Sequence, residues 1–554
     1  MEPKSEVAMV EHANTCSDDD HKHDTLAAAE DGGKLDATDE QKAIQATLSE
    51  HDLTIWEALR RYKKAALWSM LVSMSIIMRA YDIEITGNFY ALPAFRDHLG
   101  EHVDGHGMEI PVQWQVAMSM GPIVGQVAGA WLAAVPMDSL GRKKTLAIYL
   151  IMTSALVFMQ VFAPNRTVLT VSMYLAGIIW GGYHVLAPVY ASEVLPLRLR
   201  GIFIAYVSLC YVMGQFIQTG ITRAFVSWSS VWAYKIPYAL QWVWPVFILA
   251  FLYWCPESPW WLIRQNRLDD AKKALDRLSS KQCHAHNHDV LAMMVKTDIY
   301  ERELEVGATF RDCFKGPNLR RLEIASAVFI VQNFSGNPVG FAVYLFEQTG
   351  LSSENAFNMG IGLNGVGFVG VFCSMFPIIW FGRRRAWMYG LTYNIACLWV
   401  VAFMCLAPDY KTNQAYSWAQ ASILITMQLV YSLTIGPLAY VISSEVPSTR
   451  LRAKTLSLTA TFNGMSYLVI TVAGPYLLNP GSANAGAMIE FLWGGLSLFS
   501  FAWSFFRLPE TGDRTFEETD YLFENRVPAR KFRGYIIDET HIFPNMKNNM
   551  KESI

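Results

Sequence analysis

Charged residues are scarce in this chain. Only 17% of its 554 residues are Asp, Glu, Lys or Arg, whereas 52% are hydrophobic. About a quarter of the residues in a soluble globular protein are charged, and a chain of this length usually divides into several such domains. The shortage argues against a large soluble protein, and nothing in the composition points to a nucleic-acid partner.

Three further absences narrow the function. The chain has no G-x-x-x-x-G-K-[ST] loop, so ATP-driven transport is not expected. Residues 1–30 lack the charged-then-apolar pattern of a cleavable signal, so the first apolar run is expected to stay in the mature protein. The tract "CHAHNH" (283–288) matches no zinc-ligand spacing. Neither a metal site nor a cofactor is predicted, and no enzymatic activity is expected.

The remaining composition is uneven. Residues 1–50 are rich in Asp and Glu and contain no aromatic side chain, which is typical of a disordered acidic tail. Beyond Lys64 the chain is dominated by apolar runs of roughly 18 residues or more, each long enough to cross the hydrocarbon core of a bilayer as a helix. Twelve such runs lie near 66–90, 112–136, 145–164, 168–191, 202–224, 238–255, 322–347, 356–380, 386–407, 416–442, 455–478 and 487–507.

The basic residues predict how the chain is oriented. They concentrate in the loops after runs 2, 4, 8 and 10, whereas the alternate loops are poor in Lys and Arg. Because cytoplasmic loops of membrane proteins carry the excess of basic residues, these loops and both termini are expected to be cytoplasmic. The basic loops read "GRKK" (141–144), "LRLR" (197–200), "GRRR" (382–385) and "STRLRAK" (448–454).

Three phrases occur twice, in the same order and at equivalent places after the second, fourth and sixth runs of each half. They are "GRKK" and "GRRR", then "SEVLPLRLR" (192–200) and "SEVPSTRLR" (444–452), then "PES" (256–258) and "PET" (509–511). A six-helix unit repeated in parallel about the membrane normal resembles the build of the major facilitator transporters. The expected fold is therefore all-α, with twelve transmembrane helices in two six-helix repeats and a cytoplasmic helical insert.

The repeated phrases suit a gate. At a membrane face a carboxylate beside an arginine can pair at modest desolvation cost, in a geometry that forms or breaks as the halves move. We expect such pairs, within and across the halves, to close the cytoplasmic side of the outward-open state. The predicted gate residues are Arg142, Glu193, Arg200, Glu257, Arg383, Glu445 and Arg452.

Longer motifs carry a closer resemblance. "PVYASEVLPLRLRG", "PESPWWLIR" and "LPETGDRTFEE" resemble signatures of the sugar porter family. "WAYKIPYALQWVWP", "QNFSGN", "YLFEQTG" and "LFENRVPARKF" are similar to the fungal maltose and α-glucoside permeases. The resemblance runs from about residue 55 to 535, and it implies a plasma-membrane importer of maltose-type sugars that works by alternating access, with protons as co-substrate.

Sugar recognition needs amides and hydroxyls for the sugar hydroxyls and an aromatic face for the ring, all near the middle of the membrane. Polar residues inside apolar runs are therefore candidates. The resemblance carries Gln215, Gln332, Asn333 and Tyr440 over from matching motif positions, whereas Asn337 is shifted by one and Asn463 is a loose match. Gly336 and Pro338, on either side of Asn337, are expected to break the helix there. Gln218 joins them because it follows Gln215 by nearly one turn. The alternative for each amide is a hydrogen bond that holds helices together.

Proton coupling requires a carboxylate inside the membrane. Asp82 matches the aspartate of the family's G-Y-D stretch, and Arg79 precedes it by three residues on the same helical face, where the two are expected to share a charge. Related symporters usually have an acidic residue where Arg79 stands, and often another near Met173 and an arginine near Ala460. These departures leave two alternatives, which are coupling rewired through Glu84 and an uncoupled protein.

The leading hypothesis is thus a monomeric secondary transporter, with a small-molecule sugar and protons as partners. The alternatives are an uncoupled facilitator or exporter of another sugar, glycoside or metabolite, and a sugar sensor that hardly transports. The expected domains are a disordered cytoplasmic tail (1–55), a six-helix bundle (56–256), a cytoplasmic helical insert (257–320), a second bundle (321–508) and a cytoplasmic tail (509–554).

Overall fold

The computed structural model describes most of the chain between its two tails. The described residues are 54–103, 107–280, 287–305, 309–336, 342–348, 350–407, 414–448, 451–479, 482–483, 485–512, 514 and 516–535. The predicted acidic tail lies almost wholly outside these ranges. So do the predicted site residue Asn337 and residues 283–286 of the Cys/His tract.

Within the described residues, twelve membrane spans form two halves of six. The N-terminal half contains Lys63–Phe89 (span 1), Val112–Leu132 with Ala134–Leu140 (span 2), Arg142–Val161 (span 3), Arg166–Val194 (span 4), Leu197–Phe225 (span 5), and Trp232–Ala239 with the 3-10 turn Leu240–Trp242 and Val243–Leu252 (span 6). The C-terminal half contains Gly316–Phe334 with Ala342–Gln348 (span 7), Ser353–Cys373 with Met375–Phe381 (span 8), Arg383–Met404 (span 9), Gln414–Leu433 with Ile435–Glu445 (span 10), Arg452–Leu478 (span 11) and Ile489–Arg507 (span 12).

Shorter elements cap both ends of the bundle. They are the helices Ile55–Arg61 and Pro93–Leu99, the antiparallel strands β1 (Glu101–Val103) and β2 (Gly107–Glu109), the helices Pro259–Arg264, Leu268–Leu278 and Asn287–Glu305, the 3-10 turns Phe310–Phe314 and Gly486–Met488, the helix Phe516–Glu524 and the 3-10 turn Ala529–Gly534. Strand register places Glu101 opposite Glu109. The three helices after residue 256 join the two halves.

The bundle has two ends that differ in charge. The basic face is the end that carries residues 141–144, 197–200 and 382–385 together with the helices between the halves. The opposite face carries the Pro93–Leu99 helix and the two strands. Each predicted apolar run coincides with one span, and ten spans hold a helix, or a pair of consecutive helices, long and apolar enough to cross a membrane.

Spans 5 and 7 do not meet this criterion of length and hydropathy, and the structure and sequence show why. Span 5 is 29 residues long but carries arginines and glutamines. Span 7 stops at Phe334, after which Gly336 adopts φ +77°, and the chain resumes as a helix at Ala342. A break near Gly336 and Pro338 is what the sequence predicts. Such interruptions at membrane depth expose backbone groups where a solute can use them.

Close helix packing holds the N-terminal half together. Spans 2 and 4 face each other through small residues, among them Gly129 of span 2 and Gly181 of span 4. A Cβ atom on Gly129 would clash with the carbonyl oxygen of Ile178. Because lipid supplies little hydrophobic drive for helix association, such small-residue contacts provide the van der Waals packing instead.

Candidate functional site

A carboxylate–arginine cluster stands at the basic face of the N-terminal half. Gly141 turns span 2 into span 3 with φ +88°, a conformation that glycine adopts without strain. Glu257, just after span 6, accepts hydrogen bonds from the N–H groups of Arg142 and Lys143 at 3.0 and 3.2 Å. The Arg142 guanidinium donates to Glu193 of span 4 at 2.8 Å. Arg142 therefore ties spans 3 and 4 to the segment that leaves span 6.

The electrostatics of Glu257 fit this role. Burial raises the pKa of its carboxyl, and the N–H groups of Ser258, Lys143 and Arg142 oppose that rise by hydrogen bonding to the ionised form. The Arg142 charge acts in the same direction as the N–H groups. The cluster thus offsets much of the cost of holding a carboxylate beneath the protein surface.

The C-terminal half repeats this construction. Gly382 adopts φ +80°, and Glu510, just after span 12, accepts from the N–H groups of Arg383 and Arg384 at 2.9 and 3.2 Å. The Arg383 guanidinium donates to Glu445 of span 10 at 3.1 Å. Sequence reasoning missed Glu510, although the repeated "PE" of "PES" and "PET" is the signal that identifies it.

The two clusters differ in their surroundings. The side chains of Arg142 and Glu193 are 3% and 9% exposed, whereas those of Arg383 and Glu445 are 24% and 25% exposed. Arg264, from the helix after span 6, adds a second cation 3.7 Å from Glu193. The N-terminal cluster is therefore covered by the insert, whereas the C-terminal cluster is partly exposed to water.

The remaining predicted gate residues lie beside these clusters. Arg200 donates through Nε to the Leu195 carbonyl at 3.1 Å, and Arg452 lies within electrostatic range of Glu445. The ion pairs of Arg142 and Arg383 are formed inside their own halves rather than between them. In this conformation the two clusters brace each half at the basic face.

The ion pairs between the halves that the structure describes lie at the opposite face. Arg96, from the Pro93–Leu99 helix, bridges Glu109 of β2 at 3.0 Å and Glu347 at the end of span 7 at 2.7 Å. Arg223 at the end of span 5 pairs with Glu354 at the start of span 8. Both links were absent from the sequence-based prediction because they depend on contacts more than a hundred residues apart. Together they hold the opposite face closed.

Asp82 lies deep in the N-terminal half. It is 2% exposed, and its Oδ1 atom accepts a hydrogen bond from Gln241 of span 6 at 2.9 Å. Gln160 of span 3 lies beside the same carboxylate. Asp82 therefore faces spans 3 and 6, inside its own half.

Arg79 points elsewhere, so the expected Arg79–Asp82 pair is not formed. Its Nη2 atom donates to Gln126 of span 2 at 2.7 Å, and its guanidinium lies 5.4 Å from the ring centre of Tyr211 in span 5. The two side chains share a helical face by spacing, but the neighbouring spans offer each a separate partner. The amides that receive them, Gln126 and Gln241, were not identified from the sequence.

The two glutamines of span 5 have different partners. Gln215 donates to Glu84 of span 1 at 3.0 Å, and both side chains are buried. Gln218 accepts from Asn88 of span 1 and donates to Thr222 at 2.8 Å, and it is fully buried. Gln218 has the contacts of an amide that joins helices, whereas Gln215 holds an intramembrane carboxylate.

The C-terminal half supplies an uncharged polar group. Asn333 of span 7 donates to Asn463 and Ser466 of span 11 at 2.9 and 2.7 Å, and Gln332 donates to the Gly436 carbonyl at 3.1 Å. Gly436 lies near the break between the two helices of span 10. The structure thus brings Gln332, Asn333 and Asn463 together at the junction of spans 7, 10 and 11.

Tyr440 of span 10 lies at the edge of this group. Its ring packs edge-on against Phe329 with centres 5.0 Å apart, yet the residue remains 43% exposed. Arg79 of the other half acts electrostatically on Tyr440. Since a group of the N-terminal half is that close, the exposed surface of Tyr440 faces the space between the halves rather than lipid.

Comparison with known proteins agrees with this geometry. The family model for "Sugar (and other) transporter" matches residues 68–523. A general α-glucoside permease of Saccharomyces cerevisiae is 33% identical over 513 residues, which cover 91% of this chain and 82% of the permease. The maltose permease MAL31 of the same yeast is 34% identical over 508 residues, covering 90% of this chain and 82% of that permease.

Solved structures show the same fold. The inward-open xylose transporter XylE from E. coli superposes with a TM-score of 0.65 at 15% identity, covering 83% of this chain and 99% of XylE. Two six-helix halves around a polar centre define a multi-pass membrane transporter of the major facilitator fold, not an enzyme. Within that class, the chain belongs to the sugar transporter family.

Proposed function

We propose that this protein imports α-glucosides of the maltose type across the plasma membrane by alternating access, coupled to protons. The relatives named above are general α-glucoside and maltose permeases, and they match nearly the whole chain. The basic face is then cytoplasmic, together with both termini, as the distribution of Lys and Arg indicates.

The observation that carries the proposal is the polar group between spans 7, 10 and 11. Asn333, Asn463 and Gln332 present amides, and Tyr440 presents an aromatic surface to the space between the halves. Sugar hydroxyls both donate and accept, so amides suit them, and an aromatic face packs against the C–H side of a pyranose ring.

Alternating access follows from the two faces. The described conformation is closed at the opposite face by Arg96 and Arg223, each bonded to a carboxylate of the other half. Opening that face requires these pairs to separate while the basic face closes. The clusters of Arg142 and Arg383 keep each half rigid as the two halves rock.

Asp82 is the proposed proton carrier. Enclosed between spans 1, 3 and 6, it is held by Gln241 without a cation among its described hydrogen-bond partners. A buried carboxylate without a compensating cation favours its neutral form, so a change in its exposure between states would bind and release a proton. Glu84, held by Gln215, is a second carboxylate available for the same step.

A second candidate function has its own observation. Arg79 places a permanent positive charge beside the route where related symporters usually carry a carboxylate, and it is 5% exposed. A fixed cation does not exchange protons. An uncoupled facilitator, or an exporter of another glycoside or metabolite, is therefore the alternative.

Uptake of labelled maltose tests the proposal. The protein is expressed in cells that lack their own sugar carriers, and uptake is followed with and without a protonophore. Symport predicts accumulation above the external concentration that collapses with the protonophore. Uptake that only equilibrates favours the facilitator, and no uptake by surface-localised protein would exclude maltose as the substrate.

A further inference from the structure

Arg79 is a buried cation that forms no ion pair with any described residue of its own half. It is 5% exposed near the middle of span 1. Its Nη2 atom donates to the neutral amide of Gln126 at 2.7 Å, and its Nε atom has no hydrogen-bond partner. Among the residues that the structure describes, no ion pair includes this guanidinium.

The nearest acidic residues in the sequence are bonded to other groups. Asp82 accepts from Gln241, and Glu84 accepts from Gln215. A buried charge left without a compensating partner is strongly destabilising. A charge retained at such cost inside a membrane marks a functional site.

The surroundings of Arg79 come from both halves. Its guanidinium lies over the Tyr211 ring of span 5 at 5.4 Å, and Tyr440 of span 10 and Tyr467 of span 11 lie within electrostatic range. His184 of span 4 is similarly close. Tyr440, which is 43% exposed, borders the space between the halves. Arg79 therefore lies on the side of span 1 that faces spans 10 and 11, near the amides proposed to bind the sugar and among phenol hydroxyls that can bond sugar hydroxyls.

A guanidinium recognises an anion by its shape as well as its charge. Its planar fork matches a carboxylate with two parallel N–H···O bonds, and in this conformation its Nε is buried without a hydrogen-bond partner. One unbalanced guanidinium compensates one negative charge. A monocarboxylate fits this balance better than a phosphate, which carries nearly two charges at neutral pH.

We propose that the transport site takes glycosides that carry one carboxylate, with Arg79 as the residue that binds it. This inference rests on the proposed function, since it assigns a substrate class to the same transport site. It separates the role of Arg79, which selects the charge of the substrate, from that of the C-terminal amides, which bind sugar hydroxyls.

A pair of matched disaccharides tests the inference. Maltobionate and maltitol both carry an α-glucosyl group on an open six-carbon chain, but maltobionate ends in a carboxylate and maltitol in a neutral alcohol. Binding of each to the purified full-length protein is measured by calorimetry in chloride buffer, so that a site for simple anions is already occupied. We expect maltobionate to bind at least ten-fold more tightly than maltitol.

Variants locate the effect. Arg79→Gln is expected to abolish the preference for maltobionate, and Arg79→Lys to keep part of it because the charge remains without the fork. Arg166→Gln, which removes a surface arginine paired with Glu101, is the matched control and should keep the full preference. The wild-type comparison of the two ligands stands alone if an Arg79 variant does not fold.

The outcomes separate this inference from the proposed function. Equal binding of maltobionate and maltitol would overturn the inference, while maltose uptake in the same protein would leave the proposed function intact. Preferred binding of maltobionate without maltose uptake would support the inference and reject neutral α-glucosides as substrates. If gluconate, which has the carboxylate but no glucosyl group, binds as tightly as maltobionate, Arg79 holds only a simple anion and the glycoside inference is wrong.

Discussion

The two halves of this transporter are alike at the basic face and unlike at the centre of the membrane. At the face, Arg142 and Arg383 occupy equivalent places, each bonded through its side chain to a span carboxylate and through its N–H to a carboxylate that follows the last span of the half. At the centre, span 1 carries Arg79, Asp82 and Glu84. The equivalent span 7 carries only amides, Gln332 and Asn333, at this level.

This difference indicates a division of labour. Both halves need the same rigid carboxylate–arginine cluster at the basic face, because both move there when the transporter changes state. They do not need the same chemistry where the solute binds. Under the proposed function, the C-terminal half provides neutral hydrogen-bonding groups and an aromatic surface for a sugar, whereas the N-terminal half provides the charges proposed to respond to protons or to a charged solute.

The largest expected effect is a difference in stability between variants of the two carboxylate–arginine clusters. Arg142→Ala leaves the buried Glu193 with Arg264 at 3.7 Å, and removing one partner of a buried pair costs about 3 to 5 kcal/mol. Arg383→Ala removes a half-exposed pair, for which about 1 kcal/mol or less is expected. Thermal unfolding of both variants in the same detergent measures the contrast. Equal losses of stability would show that burial by the insert does not increase the contribution of the N-terminal cluster to stability.

The next effect concerns the centre of the C-terminal half. Asn333→Leu removes the donor to Asn463 and Ser466, and we expect the KM for maltose uptake to rise at least ten-fold. Asn318→Ala lies on the same span near the basic face and serves as the control, with an unchanged KM. An unchanged KM in Asn333→Leu would remove this amide from the sugar site.

A third variant addresses the closed opposite face. Arg96→Glu places like charges beside Glu109 and Glu347 and should push the halves apart there, so that uptake falls several-fold. The double variant Arg96→Glu with Glu347→Arg restores one pair between the halves and should recover part of the uptake. If uptake by Arg96→Glu equals that of the wild type, the bridge does not contribute to closure.

The smallest effect is a dependence on pH at the same bridge. Burial raises the pKa of Glu109 to about 6, with Arg96 opposing the rise and Glu347 adding to it. When the face opens and water reaches Glu109, its pKa should return toward the ordinary 4.5. The closed state then binds the proton more tightly, so acidification from neutral pH to 6 favours closure by about two-fold, and by more as the pH falls toward 4.5.

Spin labels at Trp228 and Met488 measure this response. Both residues are exposed at the opposite face, one in each half. The short-distance population should grow as the pH falls through 6, and Glu109→Gln should remove the change. Growth of that population with rising pH would contradict the sign of the shift.

The sequence predicts the architecture well, because a membrane helix can be recognised from the apolar residues of its own segment. Each apolar run became a span, and the break in span 7 lies at the predicted Gly336, since both signals depend on neighbouring residues. The residues of the two carboxylate–arginine clusters could also be predicted, because the duplicated halves repeat the same motifs. Family membership was predicted from motifs and is confirmed by the match over residues 68–523.

The partners of the central residues could not be predicted from spacing alone. Arg79 and Asp82 stand on one helical face, yet Gln126 and Gln241 from other spans separate them. Single glutamines in apolar runs give no local sign of which side chain they will meet. The same limit applies to Arg96 and Glu347, which only the closed arrangement of the halves brings together.

The division of labour between the halves is tested most directly by measuring maltose counterflow and maltose accumulation in Asp82→Asn and Asn333→Leu. Counterflow needs binding and alternating access but no proton gradient, whereas accumulation needs all three. The account predicts that Asp82→Asn keeps counterflow and loses accumulation, and that Asn333→Leu weakens both. Accumulation by Asp82→Asn at the wild-type level, or wild-type counterflow by Asn333→Leu, would contradict it.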